Sequence, residues 1–240
     1  MIPKKIHYCW FGGRDLPGSA LKCIESWKTM MPDAEIVRWD ESNYDVNKYK
    51  YTREAYQEKK YAFVSDVARL EILYQYGGLY LDTDVELVKS LKPLLLGNGF
   101  FGFQSKSADG LFYPNTGIGF ASIKGNAILK EMINEYESIP FIKQDGTLDT
   151  LSCPTRNSKV LVNKGLRLDN TLQVIDGMTI YPMDYFCPID EITGKKIITV
   201  NTFSIHHFDA SWLDANRQRK NKMRKLLGPT IWNLLKKIAK

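Results

Sequence analysis

Between Tyr61 and Glu86 the chain reads YAFVSDVARLEILYQYGGLYLDTDVE, a helix-patterned segment, a Gly-Gly break and a short apolar run closed by two aspartates. Phe63, Val67, Leu70 and Tyr74 recur at helical spacing, and Gly77-Gly78 supplies the positive-φ stop that helix ends favour. Leu79, Tyr80 and Leu81 then predict a brief strand, with Asp82-Thr83-Asp84 at its carboxyl end. Upstream, residues 4–10 predict a first strand running into Phe11-Gly12-Gly13. A helix opens at Pro17 and Ser19 and closes at Pro32, Glu35–Trp39 predicts a second strand, and a helix over 52–59 leads into the central one. The order β-α-β-α-α-β is the alternation of a mostly parallel sheet flanked by helices, so the expected fold class is α/β. In such sheets ligands collect beyond the carboxyl ends of the strands, where both Trp10 and the Asp82/Asp84 pair fall.

Two features of the central stretch point to chemistry. At 100° per residue Asp66 falls between Leu70 and Leu73, on the apolar side of its helix, and Arg69 leans the same way. Charges set into such a stripe need a partner or a polar cleft, because an unpaired buried charge costs roughly several kcal/mol. An i,i+3 ion pair with no further role satisfies that need as well as a site does. The second feature is Asp82-x-Asp84. Two carboxylates this close repel unless a cation lies between them, and oxygen-rich sites suit hard divalent ions such as Mg2+ or Mn2+.

Farther along, strands are expected over 100–104, 117–122, 171–175, 179–181 and 199–207, and helices over 126–137 and 154–165. The four cysteines, Cys9, Cys23, Cys153 and Cys187, are scattered without a CxxC pair and read as reduced thiols. The first residues hold no apolar run of signal-peptide length, and nowhere does the sequence approach the ~20 apolar residues of a membrane span, so a cytoplasmic protein is expected. Charge is uneven. Residues 213–240 carry nine Lys and Arg against Asp214 alone, which more than accounts for the net charge of +6. A near-neutral body argues against a nucleic-acid partner, and the basic tail argues for a local electrostatic role. After Gly228-Pro229, residues Ile231, Trp232, Leu234, Leu235 and Ile238 form an apolar face opposite Lys236, Lys237 and Lys240. That pattern fits a helix on an anionic membrane surface, and equally a terminal helix packed on the domain. The domain limits read as 1–212 and 213–240.

The block FVSDVARLEILYQYGGLYLDTDVELVKSL, with the earlier CWFGG and the later HHFDASW, resembles bacterial glycosyltransferase family 32. These are DXD sugar-transferases of the capsular polysaccharide type, related to initiating mannosyltransferases and glucosylating toxin domains. The resemblance covers residues 1–122 and returns at 203–212; residues 123–200 match loosely, with Ser152-Cys153-Pro154 where many relatives carry Thr-Gly-Pro. It implies a GT-A fold and a retaining, metal-dependent transfer of a hexose from a nucleotide-sugar, a UDP-sugar favoured. The acceptor it implies is a glycan, lipid-linked if the tail binds membrane.

Position by position, the resemblance implies that Trp10 stacks on the nucleotide base. Ser65, Asp66 and Arg69 form the SDxxR element that holds the donor sugar, and Tyr80 lies near the nucleoside. Asp82 contacts the ribose and, through water, the metal, while Asp84 binds the cation directly. One of His206 and His207 meets metal or phosphate, His206 being favoured by its spacing to Trp212. Ser211 and Trp212 contact the phosphate or the metal's shell, and Asn115 falls on the sugar. His7 reads as structural. No spare carboxylate stands out as a nucleophile, which favours front-face attack over double displacement. Two other readings stay open. One is a haloacid-dehalogenase-type phosphohydrolase, whose loop reads DxDx followed by Thr or Val where this chain has Glu86. The other is a non-catalytic carbohydrate-binding protein on the same fold.

Overall fold

A computed structural model describes residues 1–190 and 195–209. The basic tail, Ser211 and Trp212 lie outside the described residues. An eight-stranded mixed sheet forms the centre, in the order β2 (Glu35–Trp39), β1 (Lys5–Cys9), β3 (Gly78–Tyr80), β7 (Phe120–Ser122), β5 (Gly99–Phe103), β9 (Met178–Tyr181) and β8 (Gln173–Ile175), with β6 (Pro114–Asn115) paired to β5. β1, β2, β3, β5 and β9 run one way and β6, β7 and β8 the other. By strand direction the expected mostly parallel sheet holds, although antiparallel pairings join its two halves.

Side chains alternate across this sheet and feed two cores. Tyr80, Phe101 and Phe120 face one core, shared with α2 (Lys50–Gln57), α3 (Tyr61–Tyr76), α4 (Ala127–Glu137) and α5 (Cys153–Asn163). Ile6, Tyr8, Leu79, Leu81, Phe100 and Ala121 face the other, which packs on α1 (Gly18–Met30). α3 is not the one-sided helix its spacing suggested. Val64, Val67, Ala68, Leu70, Ile72 and Leu73 are each at most 1% exposed. They lie around most of the helix, so it is buried between the sheet and α2 and α4. Asn126 accepts from the Ile128 N–H at 2.9 Å and caps α4; the Ser152 hydroxyl caps α5 in the same way.

The helix-to-strand junction is as tight as the two glycines predict. Gly77 and Gly78 have φ of +66° and +111°, and a Cβ on Gly78 would lie 2.8 Å from the Lys5 carbonyl oxygen. Only glycine fits there. Several expected strands come out shorter, among them 171–175, which is β8 alone. The 117–122 strand is β7 alone, because residues 116–119 turn away to back the carboxyl end of β3. The 199–207 strand is β10 (Ser204–His206), which leaves the main sheet and pairs antiparallel with β4 (Val85–Leu87). β4 is too short, and too close to the DxD turn, to announce itself by alternation.

Candidate active site and metal centre

β1 and β3 run parallel with His7 opposite Tyr80, so both strands release the chain on the same edge of the sheet. Trp10 leaves β1 there, its indole N–H donating to the Arg14 carbonyl at 2.7 Å, and Asp82 leaves β3. Alternation puts Tyr80 and Asp82 on one face, and the Tyr80 hydroxyl donates to Asp82 Oδ1 at 3.2 Å. Arg69 Nη2 reaches the same oxygen at 3.1 Å and Asp66 Oδ1 at 3.1 Å, so one guanidinium ties the helix acid to the strand acid. Its Nε donates to the Ser65 carbonyl at 3.1 Å. Burial pushes the Asp66 carboxyl up to about 6, against the pull of Arg69.

Asp84 follows one tight turn later, the Val85 N–H closing on the Asp82 carbonyl at 3.0 Å. The β4–β10 pairing sets His206 opposite Val85, and His206 Nε2 lies 3.2 Å from Asp84 Oδ1. Burial alone would raise the Asp84 carboxyl, but His206 and the Asp209 N–H outweigh it and hold the acid down to about 2. His206 is held as an imidazolium well above its usual range, because Asp84 outweighs the burial that opposes its charge. Phe208 takes a left-handed φ of +52°, and the Asp209 N–H beyond it donates to Asp84 Oδ2 at 2.9 Å.

Asp82, Asp84 and His206 each bring one ligand atom within 4.8 Å of the others. Two carboxylates and an imidazole suit a hard-to-borderline divalent ion, Mn2+ as readily as Mg2+. The proton that His206 shares with Asp84 would have to leave before a cation could take its place between them. These residues fit the group that the DxD spacing implies.

Of the two histidines the structure therefore brings only His206 to the carboxylates. His207 is its neighbour on the chain and turns the other way, with Nε2 2.9 Å from Glu86 Oε2. Tyr80 is 1% exposed, so its ring offers a nucleoside no surface, and its hydroxyl is turned to Asp82. The Ser65 hydroxyl bonds back to the Tyr61 carbonyl at 3.2 Å. The Asn115 side chain is spent on its own turn, accepting from the Gly117 N–H at 2.7 Å and donating to Gln104 Oε1 at 3.0 Å.

Residues 17–101, which run from α1 into β5 and hold both aspartates of the turn, match the family model described as a glycosyltransferase sugar-binding region containing DXD motif. Over those residues the chain is similar to DXD glycosyltransferases. The chain is 33% identical over 144 residues to inositol phosphoceramide mannosyltransferase 3 of Schizosaccharomyces pombe, covering 58% of this chain and 38% of that protein. It is 26% identical over 111 residues to the subversion of eukaryotic traffic protein A of Legionella pneumophila, covering 35% of this chain and 17% of that one. It thus spans well under half the length of either relative. Among solved structures, the PaToxG glycosyltransferase superposes with a TM-score of 0.50 at 21% identity, covering 68% of this chain and 70% of that one. At that identity the likeness concerns the fold, and it agrees with the expected GT-A architecture.

Three residues beside the acidic cluster escaped the sequence reading. Gly117 lies against Asp82, whose N–H donates to the Gly117 carbonyl at 2.9 Å. Thr116 and Cys153 meet behind Asp66, 3.0 Å apart. The glycine in PNTGIGF was the one available signal, because a glycine near a polar site often marks close backbone approach.

Proposed function

We propose that this protein is a metal-dependent retaining glycosyltransferase that moves a hexose from a nucleotide-sugar, a UDP-sugar favoured, to a glycan acceptor. The observation that carries the reading is the convergence, on one sheet edge, of the Asp82/Asp84/His206 cluster with the Asp66–Arg69 pair. A divalent ion held there would neutralise a diphosphate and stabilise its departure as a Lewis acid. Asp66 and Arg69 are placed to hold sugar hydroxyls, and the half-exposed Trp10 offers a flat face to a base. The carboxylate nearest the sugar position, Asp66, is tied to Arg69, which supports front-face attack with the leaving phosphate taking the acceptor's proton. Positioning and electrostatics then supply most of the acceleration. We place the protein in surface polysaccharide synthesis with a lipid-linked acceptor, on the inner face of a membrane reached through the basic tail. Among the described residues no helix is long and apolar enough to cross a membrane.

The phosphohydrolase alternative needs Asp82 free as a nucleophile, whereas Arg69 and Tyr80 both hold its Oδ1. The test is hydrolysis of a panel of UDP- and GDP-sugars by the purified protein with Mn2+. One sugar should be slowly hydrolysed, and Asp84→Ala should lose at least ~10-fold of that rate, about 1.4 kcal/mol of barrier. An unchanged rate removes Asp84 from the metal site. No hydrolysis of any donor, with no binding of UDP or GDP, favours the non-catalytic reading.

A further inference from the structure

Asp82 leaves β3 with its main chain bonded to a turn from another part of the sheet. Its N–H donates to the Gly117 carbonyl at 2.9 Å, and a Cβ on Gly117 would lie 2.0 Å from Asp82 Oδ2. The backbone at 117 is therefore a wall against one side of the carboxylate. Arg69 and Tyr80 hold the other oxygen, Oδ1. Where Oδ2 stands is set by where that wall stands.

Three side chains fix the wall. Asn115, the last residue of β6, accepts from the Gly117 N–H at 2.7 Å and donates to Gln104 Oε1 at 3.0 Å. That closes the turn and ties it to the chain just beyond β5. Thr116 Oγ1 lies 3.0 Å from the Sγ of Cys153, the first residue of α5, and Asn157 Nδ2 donates to the same sulfur at 3.2 Å. Thr116, Asn157 and Cys153 are 1%, 2% and 3% exposed. Water has little access there, so a broken bond leaves a buried polar group unpaired. The first turn of α5 is anchored in its turn, by the Ser152 cap and by Arg156 paired with Asp149 at 2.5 Å.

We propose that Thr116 is a positioning residue for the metal corner: bonded to Cys153 at the start of α5, it holds the Gly117 backbone where the Asp82 carboxylate faces Asp84 and His206. The proposal rests on reading those three residues as ligands of a divalent ion. Thr116 acts through the main chain of residues 116 and 117 rather than by touching the ion. Their ligand atoms lie within 4.8 Å of one another, and metal–ligand distances tolerate only about ±0.2 Å. A small drift of the 116–117 backbone is therefore enough to misplace one of the three.

The test uses the whole chain and Mn2+ alone, without nucleotide. Free ion is counted by electron paramagnetic resonance, and unfolding is followed in urea. Thr116→Val, nearly isosteric but unable to bond the thiol, should weaken Mn2+ binding about 10-fold, roughly 1.4 kcal/mol. Thr116→Ser keeps the hydroxyl and should stay within about 2-fold of the parent chain. Cys153→Ala breaks the same bond from the other side and should reproduce the loss, and the double variant should not sum the two. Leu129→Ala, in the buried face of α4, is the destabilised control: it should lower the urea midpoint and leave Mn2+ affinity unchanged. Parent-like Mn2+ affinity in Thr116→Val or in Cys153→Ala overturns the positioning role. So do losses that add in the double variant, or a Leu129→Ala protein that loses the ion as readily. A parent chain that binds no Mn2+ overturns the metal reading of the corner itself, a result seen before any variant is made.

Discussion

Gly117 carries no side chain, yet it decides where Asp82 can point. A Cβ there would sit 2.0 Å from Asp82 Oδ2 and 2.8 Å from Arg69 Nη1, so Gly117→Ala must push the carboxylate off its place. The expected outcome is a fall in Mn2+-dependent hydrolysis of at least ~10-fold, with folding retained by circular dichroism, since the strain falls on the site rather than the core. His7 makes the opposite kind of point. It is 2% exposed, its Nε2–H donates to the Gly77 carbonyl at 3.1 Å, and its Nδ1 accepts from the Trp39 indole at 3.1 Å. Both nitrogens are satisfied only in the neutral form, and burial lowers the imidazole to about 4. Between about 6.5 and 4 the unfolded chain binds a proton that the folded chain refuses. Stability must then fall as pH drops through that window, by an amount on the order of 3 kcal/mol, and the effect is absent above it. Urea midpoints measured from pH 7 to pH 4 should decline less steeply for His7→Gln than for the parent chain.

At the scale of elements, the DxD turn is held by what packs behind it. β4 begins one residue after Asp84, and the fully buried Trp27 of α1 donates its indole N–H to the Val85 carbonyl at 2.7 Å. The Ser26 hydroxyl accepts from the Leu87 N–H at 2.9 Å, so α1 fastens both ends of the strand that receives His206. Trp27→Phe keeps a large ring and leaves that carbonyl without its partner. It should lower unfolding stability by about 1–3 kcal/mol, read by chemical denaturation, and weaken Mn2+ affinity because the turn loses its anchor. The strands at 35–39 and the helices at 18–30 and 61–76 were legible because their spacing is regular over several residues. β4 and β6 were not, because runs of two and three residues carry no period to read.

For the whole molecule, the division of charge matters most. Residues 1–212 are near neutral and the basic excess lies in 213–240. If that segment meets an anionic bilayer, deleting residues 229–240 should reduce co-sedimentation with phosphatidylserine- or cardiolipin-containing vesicles and leave hydrolysis of a free nucleotide-sugar unchanged. Equal sedimentation of the two forms would assign the tail to packing on the domain.

The sequence alone determined the α/β alternation, the Gly-Gly junction, the buried Asp66–Arg69 pair and the two aspartates at a strand's end. Each is written in residues only a few positions apart, where helical and strand periods govern. Only the tertiary structure decided that His206 and not His207 joins Asp82 and Asp84, and that Gly117 and Cys153 border the site. Those contacts join positions tens to more than a hundred residues apart, through a strand pairing and a helix terminus. No local pattern encodes such a meeting; it follows from how the two cores pack on either side of the sheet.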